Sequence, residues 1–497
     1  MSRDEKPPEV DAARAASDAP ATFEASQASV AGPRTAAPVN DRREIFGWML
    51  YDWANSAFYT TVVGALLGPY LIALAQADVG RTGVVLDLGF LGSVTAQSFY
   101  QLFVAVAVGS QVLLLPVVGA IADYSNLKKR LMAVFCYTGV AATCLMFFVT
   151  GKLYLLGGAL FVVANLSFGG AIVLYNSMLG EIVTEDRRDQ VSSRGFAFGY
   201  LGGGLLLALN FLFVGVAPAL LAPYGYTAGE ARGLAVRVSL LSAGVWWGVF
   251  AFFSFRRLRE RASRKRLPAG KSYLTAGFAQ LAGTFRELRR LPHTLKYLVA
   301  YLLYNDGIQT VIGSASVFIA SELFPGGLDN PDAPTFVLSI FLFVQFMGIG
   351  GALLFERVAR LVGTKRAILV SLAVWLGIVV YAFAFFETRA QAWVMAGFIA
   401  VVLGGSQALS RSLFSQMIPA GREASFFGIY EVSERGTSWL GPLVFSIVVA
   451  RTGSFRYALL SLVVFFVSGF LLLLFTDTAR AIHDAGNRLP EEVDGGQ

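Results

Sequence analysis

From Gly47 onward, long apolar stretches alternate with short polar interruptions rich in lysine and arginine. A helix needs about 20 apolar residues to cross a bilayer. Twelve stretches approach or exceed that length: residues 46–75, 96–121, 131–150, 153–178, 193–221, 236–255, 295–320, 335–356, 366–386, 390–417, 424–450 and 456–476. The pattern predicts an all-α integral membrane protein of twelve transmembrane helices. Residues 1–40 hold eleven alanines and five prolines and no apolar run. That composition predicts a disordered tail and lacks the apolar core of a signal peptide.

Composition sharpens the picture. Of 497 residues, 55% are hydrophobic and 15% charged, against about 45–50% and about 25% in a soluble domain. A soluble enzyme, a disordered protein and a secreted disulfide scaffold are thereby excluded. Cys136 and Cys144, eight residues apart on one helix, would stand roughly 12 Å from each other, too far to bridge. The net charge of +7 points to orientation and not to nucleic acid, because the basic residues cluster between apolar stretches. With twelve spans and a cytoplasmic N-terminus, 31 lysines and arginines fall on the cytoplasmic side and 7 on the other, Arg411 and Arg435 lying within spans. The asymmetry predicts that both termini are cytoplasmic.

The basic segment beginning at Arg256 separates six spans from six. Two parallel six-helix halves follow as an expectation: a tail at 1–44, a first half at 45–255, a basic cytoplasmic loop at 256–294, a second half at 295–476 and a tail at 477–497. Internal repetition supports the division. Gly169-Gly170 and Gly404-Gly405 open similar stretches 235 residues apart, and Asp123 and Arg360 each precede a basic pair by five residues. Tyr51-Asp52 and Tyr304-Asn305-Asp306 both lie in the first span of their half.

Ionisable groups within spans are costly, by at least about 2.5 kcal/mol, and normally face protein or a cavity. The first span presents Asp52, Asn55, Ser56 and Tyr59 on one helical face, and the seventh presents Asp306, Gln309, Thr310 and Gly313. These stripes either line a central cavity or are held by structural partners, such as an arginine or a helix end. Gln407 and Arg411 stand four apart on the tenth span, and Glu431, Glu434 and Arg435 share a face of the eleventh. The carboxylates outnumber the arginines, which suits proton coupling or a zwitterionic solute; an arginine–glutamate gate near the cytoplasmic mouth is the plainer alternative. Between the second and third spans, Asp123 can cap or pair across the halves, while Lys128, Lys129 and Arg130 hold the loop inside. Histidine is represented only by His293 and His483, and no phosphate-binding loop appears. Metal binding, acid–base catalysis and ATP-driven pumping therefore have no support.

The loop GAIADYSNLKKR (119–130) resembles the loop signature of the major facilitator superfamily, with Asn126-Leu127 standing where that family has a glycine. GWMLYDWANSAFYTTV (47–62), YLLYNDGIQT (301–310), GGSQALSRSLFSQMIP (404–419) and FFGIYEVSERGTSWLGP (426–442) resemble one branch of it. That branch is the "unknown major facilitator" family, related to the yeast autophagy-associated vacuolar amino-acid effluxer. The resemblance spans 45 to about 476 and implies the major facilitator fold, with amino-acid efflux as its substrate precedent.

The expected protein is thus not an enzyme but a secondary transporter of a small solute, amino acids by precedent, working by alternating access in a bacterial inner membrane. Asp52, Asn55, Ser56, Tyr59, Asp306, Gln309, Thr310, Gln407 and Arg411 are its expected substrate or coupling residues. Asp123, Lys128, Lys129, Arg130, Glu431, Glu434 and Arg435 are its expected gating residues. No metal or cofactor beyond a coupled proton is expected, and no partner beyond solute and bilayer. A lipid or amphiphile transporter, and a transport-inactive receptor on the same fold, are the alternatives.

Overall fold

The structure is a computed structural model that describes residues 39–494 apart from 82, 88, 90–92, 125–126, 262–272, 328–329, 331 and 437–439. Side chains at 124, 273–277, 435–436 and 493–494 are also outside the description. Most of the tail expected at 1–44, and the side chain of Arg435, therefore lie outside the described residues.

Asp41 starts the first helix. Its carboxylate accepts the Arg43 N–H at 2.8 Å, and that bond, with the Arg259 guanidinium, holds the carboxyl below its ordinary pKa. Helix α1 runs Arg42–Val79. It is α-helical over Arg42–Ala57 and Leu67–Val79 but takes wider turns over Phe58–Leu66. The loosened stretch has local causes. The Thr60 hydroxyl bonds the carbonyls of Ser56 at 2.9 Å and of Gly203 at 3.2 Å, and Pro69 cannot donate to the helical ladder. A two-stranded antiparallel hairpin, β1 (Val84–Asp87) and β2 (Ser93–Thr95), follows in the connection to the next helix. The apolar pattern carries no signal for it.

Helices α2 (Phe99–Tyr124), α3 (Lys128–Leu145), α4 (Tyr154–Ile182), α5 (Arg188–Leu221) and α6 (Ala228–Phe255) complete the first half. The segment expected as a basic loop contains a helix, α7 (Tyr273–Arg290), which packs on α2. The second half comprises α8 (Pro292–Leu323), α9 (Ala333–Val362), α10 (Thr364–Ala384), α11 (Arg389–Gln416), α12 (Glu423–Glu431), α13 (Leu440–Thr452) and α14 (Phe455–Leu474). Two short helices, α15 (Thr478–Asp484) and α16 (Pro490–Asp494), follow as the last described elements.

Ten of the described helices are long and apolar enough to cross a membrane: α1–α6, α9–α11 and α14. The two remaining expected spans are the polar ones. Helix α8 has 32 residues but buries Asn305, Asp306 and Thr310. The span expected at 424–450 is divided into α12, a wide turn over Val432–Gly436, and α13. Pro442 in the first turn of α13 lacks a donor where none is needed, which suits a helix start. The face on which Glu431, Glu434 and Arg435 were expected to align is consequently not one regular α-helical face.

Apolar side chains gather into two large clusters and a small one of Ala320, Phe324 and Ala333. One large cluster draws on Trp48 through Leu258, joined by Ala424, and the other on Leu288 through Ile482. They meet along two seams, α2 against α12 and α5 against α9. The first seam is close enough to require glycine: a Cβ on Gly119 would stand 2.0 Å from the carbonyl oxygen of Ala424. Since the obstacle is backbone, Gly119→Ala should destabilise by about 1–3 kcal/mol, the usual cost of overpacking. Thermal unfolding in detergent would register this as a lower Tm, and an unchanged Tm would show that the two helices part there without cost.

Candidate functional site

Asp52 lies ten residues into α1, roughly 15 Å from its start, and is buried. One of its carboxylate oxygens accepts from the Tyr175 hydroxyl on α4 at 2.7 Å and from both terminal nitrogens of Arg411 on α11 at 3.4 Å. The pair joins the two halves. Arg411 is saturated by further acceptors: the Ser192 hydroxyl and carbonyl, each at 3.0 Å, and the Asn176 side-chain oxygen at 3.2 Å. The Asn176 amide in turn donates to Glu431, on α12, at 2.7 Å. Aromatic rings wall the guanidinium, with Phe196 at 4.4 Å and Trp48 at 4.7 Å from its carbon. Trp48 stacks on Tyr175 at 4.4 Å. Room for the pair comes from Gly195, where a Cβ would stand 2.7 Å from the Asp52 carboxylate and 3.2 Å from Arg411.

A second polar group is built on α8. Asp306, 1% exposed, accepts the Gly441 N–H at 2.8 Å and so caps the start of α13. Its other carboxylate oxygen is buried with no hydrogen-bond partner among the described residues, as is the side-chain oxygen of Asn305. The Asn305 amide donates to the Glu434 carbonyl at 3.2 Å, and the Thr310 hydroxyl to the Asp306 carbonyl at 2.7 Å. On α1, Asn55 is buried with its amide nitrogen unpartnered among the described residues. Tyr59 is 44% exposed and stacks on Phe168, while Ser56, Gln309 and Gln407 are half-buried.

The third group closes the basic end of the bundle. Asp123 receives the N–H groups of Ala424 and Ser425, each at 3.0 Å, together with the Ser425 hydroxyl. A carboxylate of the first half thus caps α12 of the second, the arrangement that best suits an anion. The basic run is tied to the first half and to the start of the central segment: Lys128 to Glu181, Lys129 to the Leu258 carbonyl at 2.7 Å, and Arg130 to Glu260 at 3.5 Å.

Several cross-half residues escape a search for charged stripes. Arg188, at the start of α5, donates to the Ser415 carbonyl at 2.9 Å, and Thr364 donates to Asp189 at 2.5 Å. Arg194 stands 3.8 Å from Glu356, which also holds Arg360 at 2.9 Å. Tyr175 and Asn176 were discoverable. The 235-residue repeat aligns Tyr175-Asn176 with Ser410-Arg411, so choosing Arg411 could have directed attention to its counterpart.

Removing one member of a buried pair leaves an uncompensated charge, at a cost of about 3–5 kcal/mol. Asp52→Asn should therefore lower stability by that order, and Asp52→Asn with Arg411→Gln should recover part of it. A double-mutant cycle of denaturant unfolding would show the coupling, and strictly additive effects would mean that the pair contributes nothing as a pair.

A family model described as "Vacuole effluxer Atg22 like" matches residues 40–486. The uncharacterized MFS-type transporter YxiO of Bacillus subtilis is 30% identical over 448 residues, covering 89% of this chain and 97% of that relative. Autophagy-related protein 22-1 of Penicillium rubens is 24% identical over 571 residues, covering 91% and 93%. Among solved structures, the human organic anion transporter MFSD10 aligns with a TM-score of 0.63 at 15% identity, over 88% of this chain and all of that one. The transporter FucP, in its outward conformation, aligns with a TM-score of 0.60 at 10% identity, over 88% and 98%. These structures share the fold, that of the major facilitator superfamily.

Proposed function

This chain belongs to the Atg22-like vacuole effluxer family of major facilitator membrane proteins, and on that premise we propose that it carries a small zwitterionic solute of the amino-acid class by alternating access. One observation carries the reading: a buried carboxylate and a buried guanidinium, Asp52 and Arg411, face each other across the boundary between the halves. When the halves part, each charge loses its partner in a low-dielectric setting, which is costly unless something replaces it. A zwitterion replaces both at once. Its ammonium would take the place of Arg411 beside Asp52, and its carboxylate the place of Asp52 beside Arg411, where the planar guanidinium suits bidentate binding.

The remaining expected residues take their parts around this exchange. Asn55 and Asp306 bring buried polar atoms with unused bonding capacity; an incoming solute or a coupled proton would use it, with Ser56, Tyr59, Gln309 and Thr310 nearby along the same helices and Gln407 one turn from Arg411 on α11. Asp123, at the end of α2 and capping α12, acts as the latch of the basic face, with Lys128, Lys129 and Arg130 fixing the loop that follows it. The distribution of basic residues supports both termini being cytoplasmic, and the Ala-, Gly- and Arg-rich composition, with the Bacillus relative, supports a bacterial inner membrane.

Flux tests the reading directly. Purified protein in liposomes under a pH gradient should move radiolabelled amino acids in preference to sugars or organic acids, and Asp306→Asn should abolish or uncouple that movement. Gradient-independent flux would remove the proton, wild-type flux by Asp306→Asn would remove that residue's role, and no solute flux would favour a receptor or lipid-handling protein. The latch has its own readout. In a cysteine-free background, a cysteine at Ser415, beneath the closed face, should react slowly with an impermeant maleimide. Adding Asp123→Ala should speed the reaction, and an unchanged rate would mean that Asp123 does not hold the face shut.

A further inference from the structure

At the end of the bundle opposite the basic face, a cleft of about 450 Å³ is lined by Tyr70, Leu74, Thr150, Tyr226, Glu230 and Arg237. It lies away from the Asp52–Arg411 boundary, between the outer end of α1, the α3–α4 connection and the start of α6. Its distinguishing feature is an arginine without a counter-charge. Among the described residues Arg237 makes no hydrogen bond and no ion pair; its Nε is buried unpartnered, and the guanidinium carbon lies 5.6 Å from the Phe147 ring centroid. Arg237 lies within the apolar helix α6, and an arginine in such a helix normally finds a partner. The other charged residue of the cleft is Glu230, whose Oε2 accepts the N–H of Thr227 at 2.9 Å and its hydroxyl at 2.7 Å, closing the capping box that starts α6.

Position along the helix orders the two charges. Arg237 follows Glu230 by two turns on the same helical face, roughly 10.5 Å deeper along the axis. Tyr224, 77% exposed, and Tyr226 mark the water-facing edge, while Phe148, 63% exposed, and Leu220 present apolar surface beside it. Aromatic residues of this kind sit at the level of lipid headgroups. The cleft therefore offers a cation on the hydrocarbon side and an anion on the water side.

We propose that this cleft binds a phosphoethanolamine group, its phosphate on Arg237 and its ammonium toward Glu230. In an ethanolamine phospholipid the phosphate adjoins the acyl chains and the ammonium is outermost, which matches the order of the charges. Arginine is the side chain best suited to phosphate oxygens. Tyr70 and Leu74 supply apolar wall for the glycerol and upper chain. A soluble phosphoethanolamine ester presents the same group, so the source is to be distinguished by experiment.

Delipidated protein in mild detergent would be mixed with equal amounts of phosphatidylethanolamine and phosphatidylglycerol, and retained lipids counted by native mass spectrometry. The wild type should retain phosphatidylethanolamine preferentially. Arg237→Gln should reduce retention roughly tenfold, the scale of losing a hydrogen bond to a charged group, and Arg237→Lys should restore part of it. Glu230→Gln keeps an acceptor for the capping box, so it should leave phosphate binding intact and abolish the preference over phosphatidylglycerol. Melting curves for each variant guard against misfolding. Stabilisation by soluble phosphoethanolamine that depends on Arg237, without lipid retention, would assign the same group to a solute. Retention that ignores Arg237, or a wild-type preference for phosphatidylglycerol, would overturn the proposal.

Discussion

A carboxylate from the first helix and a guanidinium from the second half meet in the interior, and most of the surrounding chemistry serves to keep both ionised groups satisfied. Asp52 has the Tyr175 hydroxyl besides Arg411, and Arg411 has Ser192 and Asn176 besides Asp52. Trp48, Tyr175 and Phe196 exclude water around them. A buried pair adds little net stability over a well-packed apolar substitute, yet breaking it is expensive. Its effect is therefore to specify alignment: the halves meet with the charges opposed. Gly195 is part of that specification, because any side chain there would occupy the space of the pair.

The rest of the seam at the basic end follows from the same constraint. Once two charges are buried at mid-depth, the layers nearer the basic face can close only if their own polar groups are paired across the boundary. Asp123 does so by capping α12, Arg188 by reaching the Ser415 carbonyl near the end of α11, and Asp189 by holding Thr364. Helix α7 and the end of the chain brace this layer from outside. Gln280 donates to Ser425, Arg422 pairs with Glu287, and Asn487 bonds the carbonyls of Gln416 and Ile418. Polar contacts across the boundary are concentrated at this end of the molecule.

Internal repetition explains how so asymmetric a network arises from similar halves. Tyr51-Asp52 has Tyr304-Asn305 as its counterpart, and Tyr175-Asn176 has Ser410-Arg411. The helix contacts are kept: Tyr175 reaches Asp52 on one side, and the Tyr304 hydroxyl meets that of Ser410 at 2.6 Å on the other. Charge has diverged, with the carboxylate retained in the first copy and the arginine in the second. Two different positions, Asp52 and Arg411, whose counterparts Asn305 and Asn176 are neutral amides, thus become opposite poles that attract across the boundary.

Apolar length and the placement of lysine and arginine were sufficient, by themselves, to determine a many-helix membrane protein and its approximate helix boundaries. The reason is that a bilayer imposes one length and one hydropathy on every segment that crosses it. Asp52, Arg411 and Asp123 were legible for a related reason, since ionised groups in apolar runs need an explanation. Which groups would satisfy them was not written there. Tyr175, Ser192 and Asn176 are ordinary polar residues until α4 and α5 are laid against α1 and α11. Asp306 could be seen as buried, but only the fold turned it into the cap of α13. Hydrogen-bond partners lie 123 to 359 residues apart in this network, and no local pattern encodes a contact at such separations. Periodicity reports on the solvent around a helix; the choice of neighbour belongs to tertiary packing.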